Sequence, residues 1–407
     1  MRRFTAAFMV ALAVALMAGL AQGGADLLRA RGADSRLSAD RGSASDASRP
    51  VTRTAGADPV GTLGLKTVTY NLCGGQCNTG GTGNLPEVVK KIDEFQPHLV
   101  MLQEVCYSQY EWFTDTYKEK GDAYHFAFTP MLTNYRGCGA TDCAVNEDSD
   151  QTNDDNRCTF GQVVGARGTL RNPDVIDLGG ERHQIKQGKP GDPIEQVSPK
   201  RKFAALCYDA ALTDLPSRVV KGCSVHLRAF HDEKLVNQRA RTAQAARLAS
   251  ELDGDIAAGK IVVVAGDFNS WPDQGNSWVE HRTPAMDAFY RPDARPNGGW
   301  GVFYEADQAD KDAWKYVEPA CTAANCRAGE RTVSSRDFVY GQEPVGKGTK
   351  YDYIFYSETT APSSISADAF YLFVKNADGT IATKPDGTAK RISDHTFYRG
   401  QAQVKTS

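Results

Sequence analysis

The stretch "VVVAGDFNS", residues 262–270, runs a β-branched strand into Gly266 and then sets Asp267 and Asn269 two residues apart. Taken alone, it is an ordinary strand leaving a core through turn-forming residues. Side chains two apart on a strand share a face, however, so a carboxylate and a carboxamide are expected to reach one point just beyond the strand end. Other apolar runs end the same way. Asn71 closes "TVTYN", Gln103 and Glu104 close "LVMLQE", His226 closes "GCSVH", Asp352 opens "DYIF", and Asp394 and His395 lie in "ISDH". Each has a structural reading of its own: Glu104 as a surface acid, His226 as a satisfied core histidine, Asp394 as the cap of a turn. Six strands ending in carboxylate, carboxamide or imidazole groups resist that reading, because crowding or burying such groups is costly unless they have partners.

Positioning these groups requires strands with a few helices between them. Strands are predicted at "LKTVTYNL", "HLVMLQEV", "YHFAFTP", "FGQVVGA", "KFAALCYD", "GCSVHL", "IVVVAGD", "YDYIFYS", "AFYLFV" and "TFYRGQAQV". The second is nearly continuously apolar, as expected of a strand covered on both faces. "NLPEVVKKIDEF" reads as a helix with Pro86 in its first turn, and "EKLVNQRARTAQAARLASELDG" as a helix rich in good helix formers and closed by Gly254. Many strands with few helices suggest two packed sheets flanked by helices. Residues 131–157 and 291–349 are polar and Gly-rich, and loops of that length inside a compact domain are functional or disordered.

The chain opens "MRRFTAAFMVALAVALMAGLAQGGA": two arginines, a short apolar run, then small residues at Ala21 and Gly23. These are the regions of a secretory signal peptide, read over residues 1–23, and the run is short for a stable membrane span. Residues 24–62 are small, polar and charged and read as a disordered linker or pro-segment. One domain is expected over 63–407, in an extracellular protein. Export permits disulfides among the ten cysteines. Cys73 and Cys77, Cys138 and Cys143, and Cys321 and Cys326 lie close in sequence, and Cys207 and Cys223 lie on two apparent neighbouring strands. The spacings lack the paired Cys-x-x-Cys of zinc ribbons, and the sequence leaves the connectivity open. Without Arg2 and Arg3, the 47 Lys and Arg fall to 45 against 50 Asp and Glu, a net charge of −5. That balance argues against a tight nonspecific nucleic-acid binder, whose affinity comes from cationic contacts to phosphate. It is compatible with an enzyme that engages phosphate locally.

The series "TYNL", "LQEV", "VHL", "GDFN", "YDYIF", "SDH", in that order, resembles the endonuclease/exonuclease/phosphatase (deoxyribonuclease I-like) family. That family includes pancreatic-type deoxyribonuclease, exonuclease III-like repair nucleases, neutral sphingomyelinases and inositol-polyphosphate 5-phosphatases. The resemblance covers most of residues 64–400. It implies a four-layer α/β sandwich, two packed mostly antiparallel sheets flanked by helices, with the active site at one end of the sheets. A phosphodiester is anionic and resists attack by water, so its hydrolysis needs a cation, an aimed nucleophile and stabilisation of the leaving oxygen. The resemblance implies that Glu104, with Asn71 and Asp394, holds Mg²⁺ or Mn²⁺, with Ca²⁺ also admissible. Asp267 would orient and deprotonate water, and Asn269 would hold a phosphate oxygen. His226 and His395 would donate hydrogen bonds to the phosphoryl oxygens, with Asp352 orienting His395. Where some repair nucleases carry an acid, this chain has Cys73, which argues against metal binding at that position. Lys200, Arg201 and Lys202 precede a strand where the family often keeps a basic phosphate contact; a solvated charge run explains them equally well.

The expected protein is a secreted, metal-dependent phosphodiesterase acting on nucleic acid, DNA before RNA, as a monomer without stable membrane insertion and with some capacity to remove terminal phosphates. The second reading is a sphingomyelinase-like or inositol-phosphate phosphatase activity. For the former, "NGGWGVFYEA" would supply an exposed aromatic hairpin, although a core strand explains it as well. The third is a catalytically silent binding module, since a fold alone does not prove activity. Against it stands the full set Glu104, Asp267, Asn269, Asp352, Asp394 and His395, some of which a decayed site should have lost.

Overall fold

A computed structural model of the chain describes residues 61–132, 136–139, 159–179, 203–229, 235–270, 284–294, 298–309, 329–334, 337–342 and 349–407. The expected signal peptide, nearly all of the expected linker, the basic run Lys200, Arg201 and Lys202, and Cys143, Cys158, Cys321 and Cys326 lie outside the described residues.

The strands are β1 (Thr62–Asn71), β2 (Leu99–Cys106), β3 (Tyr124–Leu132), β4 (Phe160–Asp177), β5 (Ala204–Leu212), β6 (Val220–His226), β7 (Ile261–Asp267), β8 (Tyr304–Glu305), β9 (Asp352–Tyr356), β10 (Ser366–Phe370) and β11 (Phe397–Lys405). The helices are α1 (Leu85–Phe95), α2 (Tyr107–Glu119) and α3 (Leu235–Ala257). Neighbouring strands follow one path, β10-β11-β1-β2-β4-β5-β6-β7-β9-β8, with β3 added against β4. β1 with β2 and β6 with β7 are parallel, and the other pairs are antiparallel. A parallel pair needs a crossover, which α1 and α3 supply.

β4 runs well past "FGQVVGA" because it serves two stretches of sheet. Its first part pairs with β2 and β3, and from Gly168 onward it pairs with β5. Gly168 has φ of +148°, and a Cβ there would meet the Ala211 carbonyl oxygen at 2.1 Å, so glycine is what allows the strand to change partners. The mixed sheet curls, and Leu99, Met101 and Val164 share an apolar cluster with Leu206, Val220, Val263 and Ile354. A Cβ on Gly222 of β6 would lie 2.9 Å from Met101 Cε, which shows how closely β6 faces β2.

α1 buries Leu85, Val88, Val89 and Ile92, the i, i+3, i+4, i+7 stripe of an amphipathic helix. They join Phe113 and Tyr117 of α2 against Val68, Val100 and Leu102. Ala245, Leu248 and Leu252 of α3 pack with Val262, Val264 and Phe268. Among the described residues, no helix is long and apolar enough to cross a membrane.

Several local expectations are corrected. α2 is a helix that its aromatic composition, better suited to strands, does not announce. The Cys106 N–H donates to Gln109 Oε1 at 3.0 Å and so closes its first turn, and burial of Phe113 and Tyr117 holds it. α3 runs through Gly254 to Ala257; Gly254 has open space around it, and the left-handed residue is Gly259 at φ +81°. β10 stops at Phe370, and Phe373 bridges instead to Arg391. Cys73 bonds Cys77 and Cys207 bonds Cys223 across the β5–β6 register, but Cys138 bonds Cys106 rather than Cys143. In "NGGWGVFYEA", Phe303 is buried against Phe289 and Phe355 while Trp300 points to solvent, so the tract divides between core and surface.

Gly168→Ala should lower the unfolding free energy by about 2–4 kcal/mol, the range for backbone strain combined with a steric clash. Chemical denaturation measures this, and a wild-type midpoint would show that β4 does not need glycine to change partners.

Candidate active site

The strand register brings the sequence-predicted groups to one end of the sheet. Asn71 pairs with Gln103 at the ends of β1 and β2, His226 with Asp267 at the ends of β6 and β7, and Asp267 with Asp352 at the start of β9. Thr69 pairs with Tyr398, so the "SDH" residues just before β11 reach the same end as Asn71. Parallel pairing puts both crossover pairs' C-terminal ends together, and antiparallel β9 and β11 contribute the residues at their starts.

Asp267 is the centre of this arrangement and is 2% exposed. Its Oδ2 accepts a hydrogen bond from Asn71 Nδ2 at 3.1 Å and lies 3.6 Å from Nε2 of both His226 and His395. Its Oδ1 accepts the Asn269 N–H at 2.8 Å. His395 Nδ1 lies 2.8 Å from Asp352 Oδ2, which assigns that nitrogen the proton and leaves Nε2 facing Asp267. The Asp352 and Tyr351 backbone N–H groups both donate to Thr332 Oγ1 at 2.9 Å, fixing the start of β9. Glu104 Oε1 is 3.9 Å from His226 Nε2.

Burial raises the Asp267 carboxyl to about 7, with Asp352 and Glu104 adding to the rise and His395 and the Asn269 N–H opposing it. For His395, burial works against the charged form, but the carboxylates of Asp352 and Asp267 outweigh it and raise the imidazole to about 10. The two raised groups and Asp352 bring one ligand atom each within 4.8 Å of one another.

Local backbone sets the aim of two residues in ways strand alternation does not predict. Glu104 sits at φ +55°, where the β2–β4 register slips between Leu102 and Val105, so a bulge turns its side chain toward the site. Asn269 is at φ +48°, beyond the end of β7. It is held by its N–H on Asp267 and by its Nδ2, which donates to the Leu227 carbonyl at 3.2 Å. The pairing of Asp267 and Asn269 is therefore a turn around the carboxylate, not two side chains projecting together from one strand face.

Three positions escape the sequence reading as contributors. Ser393 Oγ donates to the Asn71 carbonyl at 2.7 Å and accepts the His395 N–H at 3.1 Å, which ties the "SDH" segment to β1. Gly266 has φ of +153°, and a Cβ there would fall 1.9 Å from the Val225 carbonyl oxygen, so β7 can lie against β6 only with glycine. Thr332 is the third. Only the Ser inside "SDH" and the Gly inside "GDFN" left a signal, as neighbours of groups already singled out.

The donor set suits a hard divalent cation. Glu104, Asp267 and Asp352 gather negative charge around two imidazoles, and Asp352 and Glu104 add to the rise that burial imposes on Asp267, a repulsion that a cation would relieve. Asn71 Oδ1 accepts the Cys73 N–H at 2.9 Å and keeps a second lone pair. Asp394 lies within ligand distance of Cys73 and Cys77, but those sulfurs are bonded to each other and are not available as thiolates. Arg201 and Lys202 lie outside the described residues.

Residues 68–395 match the family model described as Endonuclease/Exonuclease/phosphatase family. No curated protein matches in sequence. Among solved structures, the endonuclease/exonuclease/phosphatase from Beutenbergia cavernae gives a TM-score of 0.50 at 15% identity, over 83% of this chain and 71% of its own. Truncated TDP2 from Caenorhabditis elegans gives 0.47 at 12% identity over 84% and 98%. The human nocturnin catalytic domain gives 0.44 at 14% over 85% and 97%. At its identity, the first likeness shows a shared fold.

In the metal-free protein the two shifts act on stability with one sign. Unfolded Asp and His titrate near about 4 and about 6.5, whereas the folded groups hold their protons to about 7 and about 10. The folded state therefore binds more protons in both windows, and the stability these groups contribute is present below the unfolded values and lost as pH rises through the folded ones. In EDTA, wild type should lose more stability than Asp267→Asn between about pH 4 and about pH 7, the interval between the unfolded and folded Asp267 values. Parallel unfolding profiles would contradict the raised carboxyl.

Proposed function

This chain belongs to the endonuclease/exonuclease/phosphatase family, and from that premise we propose that it is a secreted, divalent-metal-dependent phosphodiesterase acting on nucleic acid, DNA before RNA. The observation that carries this reading is the buried Asp267 carboxylate between two imidazoles, one of them fixed by Asp352. A carboxyl raised to about 7 is near the operating pH that a general base needs. The reading takes residues 1–23 as the leader, 24–62 as linker and 63–407 as one monomeric domain. It takes α1 and α2, the two halves of the curled sheet, and α3 as the four layers of the family's sandwich.

In this mechanism Asp267 orients a water and accepts its proton at Oδ2 as the oxygen attacks phosphorus, the opposite P–O ester bond breaks, and the departing alkoxide takes a proton from solvent. His395 stays protonated through neutrality and donates from Nε2 to a phosphoryl oxygen, and His226 Nε2 faces the same place from β6. Asp352 keeps the His395 ring turned by holding Nδ1–H. Asn269 steadies the base through its N–H, a narrower part than direct phosphate binding. Glu104, Asn71 and Asp394 would hold the divalent cation, which when bound supplies Lewis-acid stabilisation of the charge on the phosphoryl group.

A sphingomyelinase-like activity is the second reading, favoured by Trp300, which is 60% exposed beside exposed Val302 and suits a lipid surface. The silent-module reading has no such observation, since the dyad and the hub around Asp267 are intact.

Asp267→Asn should lower turnover of a DNA oligonucleotide by about 10²–10⁴-fold, with the fold intact by circular dichroism. Glu104→Gln should raise the metal concentration needed for half-maximal rate by about tenfold or more. Wild-type rates and metal dependence in both variants would show that the site lies elsewhere.

A further inference from the structure

Beside the site, residues 337–342 and 371–391 build a platform of aromatic rings and cations that the chemistry above does not use. Phe338 is buried, with ring centroids 5.2 Å from Tyr371 and 6.2 Å from Phe373. Tyr340 stands edge-on to Phe373 at 5.1 Å and is 57% exposed, next to exposed Val339. The Arg391 guanidinium lies 5.3 Å from the Phe338 ring and 4.9 Å from that of Tyr371. Its Nη1 donates to the Ser334 carbonyl at 2.9 Å, and its Nη2 is 3.5 Å from Asp337.

Between Phe373 and Arg391 the chain makes two tight turns. In them Asp378 and Asp386 accept the N–H and hydroxyl of Thr380 and Thr388, which keeps both carboxylates ionised, so Lys375, Lys384, Lys390 and Arg391 face three acids, Asp337, Asp378 and Asp386. Lys384 pairs with Asp337. Lys375 and Lys390 are exposed and make no ion pair among the described residues.

The platform is continuous with the catalytic segment. Val333 bridges to His395, and the Ser334 N–H donates to the Asp394 carbonyl at 3.2 Å. Arg391 precedes Asp394 by three residues, a span of at most about 10 Å. Phe373 bridges to Arg391, so the Tyr340 and Phe373 surface is part of the same stretch of chain that carries Asp394 and His395. A rigid exposed ring flanked by cations is the surface on which an unpaired base stacks, while the cations meet the backbone phosphates. A base inside a duplex is already stacked and cannot lie there without being unpaired.

We infer that Tyr340 and Phe373, with Lys375 and Lys390, stack an unpaired base of the strand that leads to the site, making single-stranded or frayed nucleic acid the bound form. This rests on the phosphodiesterase reading and names its substrate class. The test reads binding without turnover: anisotropy of a labelled oligothymidylate in EDTA, with its duplex and sphingomyelin vesicles as competitors. Tyr340→Ala should weaken single-strand binding about 5- to 100-fold, with an unchanged unfolding midpoint, while Tyr340→Phe retains it. The inference is overturned if the Ala variant binds as wild type does, if the wild type binds no oligothymidylate, or if duplex or vesicles compete as well as the single strand. A Tyr340-dependent single-strand affinity in a protein that cleaves nothing would support the platform and sink the phosphodiesterase reading. Cleavage with Tyr340-independent binding would do the reverse.

Discussion

The structure depends on one carboxylate oxygen kept out of water. Asp267 Oδ2 has an amide donor at 3.1 Å and two imidazole nitrogens at 3.6 Å, and these come from β1, β6 and the segment before β11. An isolated buried carboxylate would take up a proton or unfold its surroundings. Here the surroundings leave it close to neutrality in its titration, held between a raised imidazole and two further acids. Every element that reaches this point must therefore arrive within a few tenths of an ångström, and much of the fold is explained by that requirement.

The two parallel pairs deliver it. β1 ends in Asn71, β2 carries Glu104 at its bulge, and β6 and β7 end in His226 and Asp267, so both crossovers deliver polar residues to the same side. Gln103 and Ser224 join the two halves directly, with Gln103 Nε2 donating to Ser224 Oγ at 3.1 Å in the buried space between them. Behind β9, the fully buried Lys350 lies between Glu305 and Asp307 and donates to the Tyr398 hydroxyl at 3.2 Å, linking β8, β9 and β11. Burial raises Glu305 to about 7 despite Lys350, while at Lys350 burial is outweighed by Asp307 and Glu305, which raise the ammonium, so the shifts disfavour charge on one partner and favour it on the other. The cluster's effect is positional, since it fixes the segment from which Asp352 reaches His395.

Much of this was legible in the sequence for a simple reason. A polar residue at one end of an apolar strand stands out against the adjoining run: Asn71, Glu104, His226 and Asp267 follow theirs, and Asp352 and His395 precede theirs. What stayed hidden depends on tertiary partners. The bulge that turns Glu104 exists because β4 slips against β2, and the turn at Asn269 exists because Asp267 accepts its N–H. The double length of β4 follows from the curl of the sheet, the Cys106–Cys138 bridge from where β3 returns, and α2 from a face buried against strands distant in sequence. Strand alternation predicts that the Asp267 and Asn269 side chains reach one point, whereas the Asn269 amide turns to the Leu227 carbonyl and its N–H is what meets Asp267.

The acids that crowd Asp267 explain why a cation belongs to this account even though the protein side can be described without one. Their mutual repulsion is what a divalent ion on hard oxygen donors would discharge, and the imidazoles then remain for the substrate. The most direct measurement is hydrolysis by the purified wild-type protein, with Mg²⁺ or Mn²⁺ and with EDTA, across single- and double-stranded DNA, RNA, sphingomyelin, an inositol polyphosphate and a simple phosphomonoester. The account predicts metal-dependent cleavage of nucleic acid above the other substrates, abolished by EDTA. Silence on every phosphodiester, or turnover indifferent to EDTA, would contradict it.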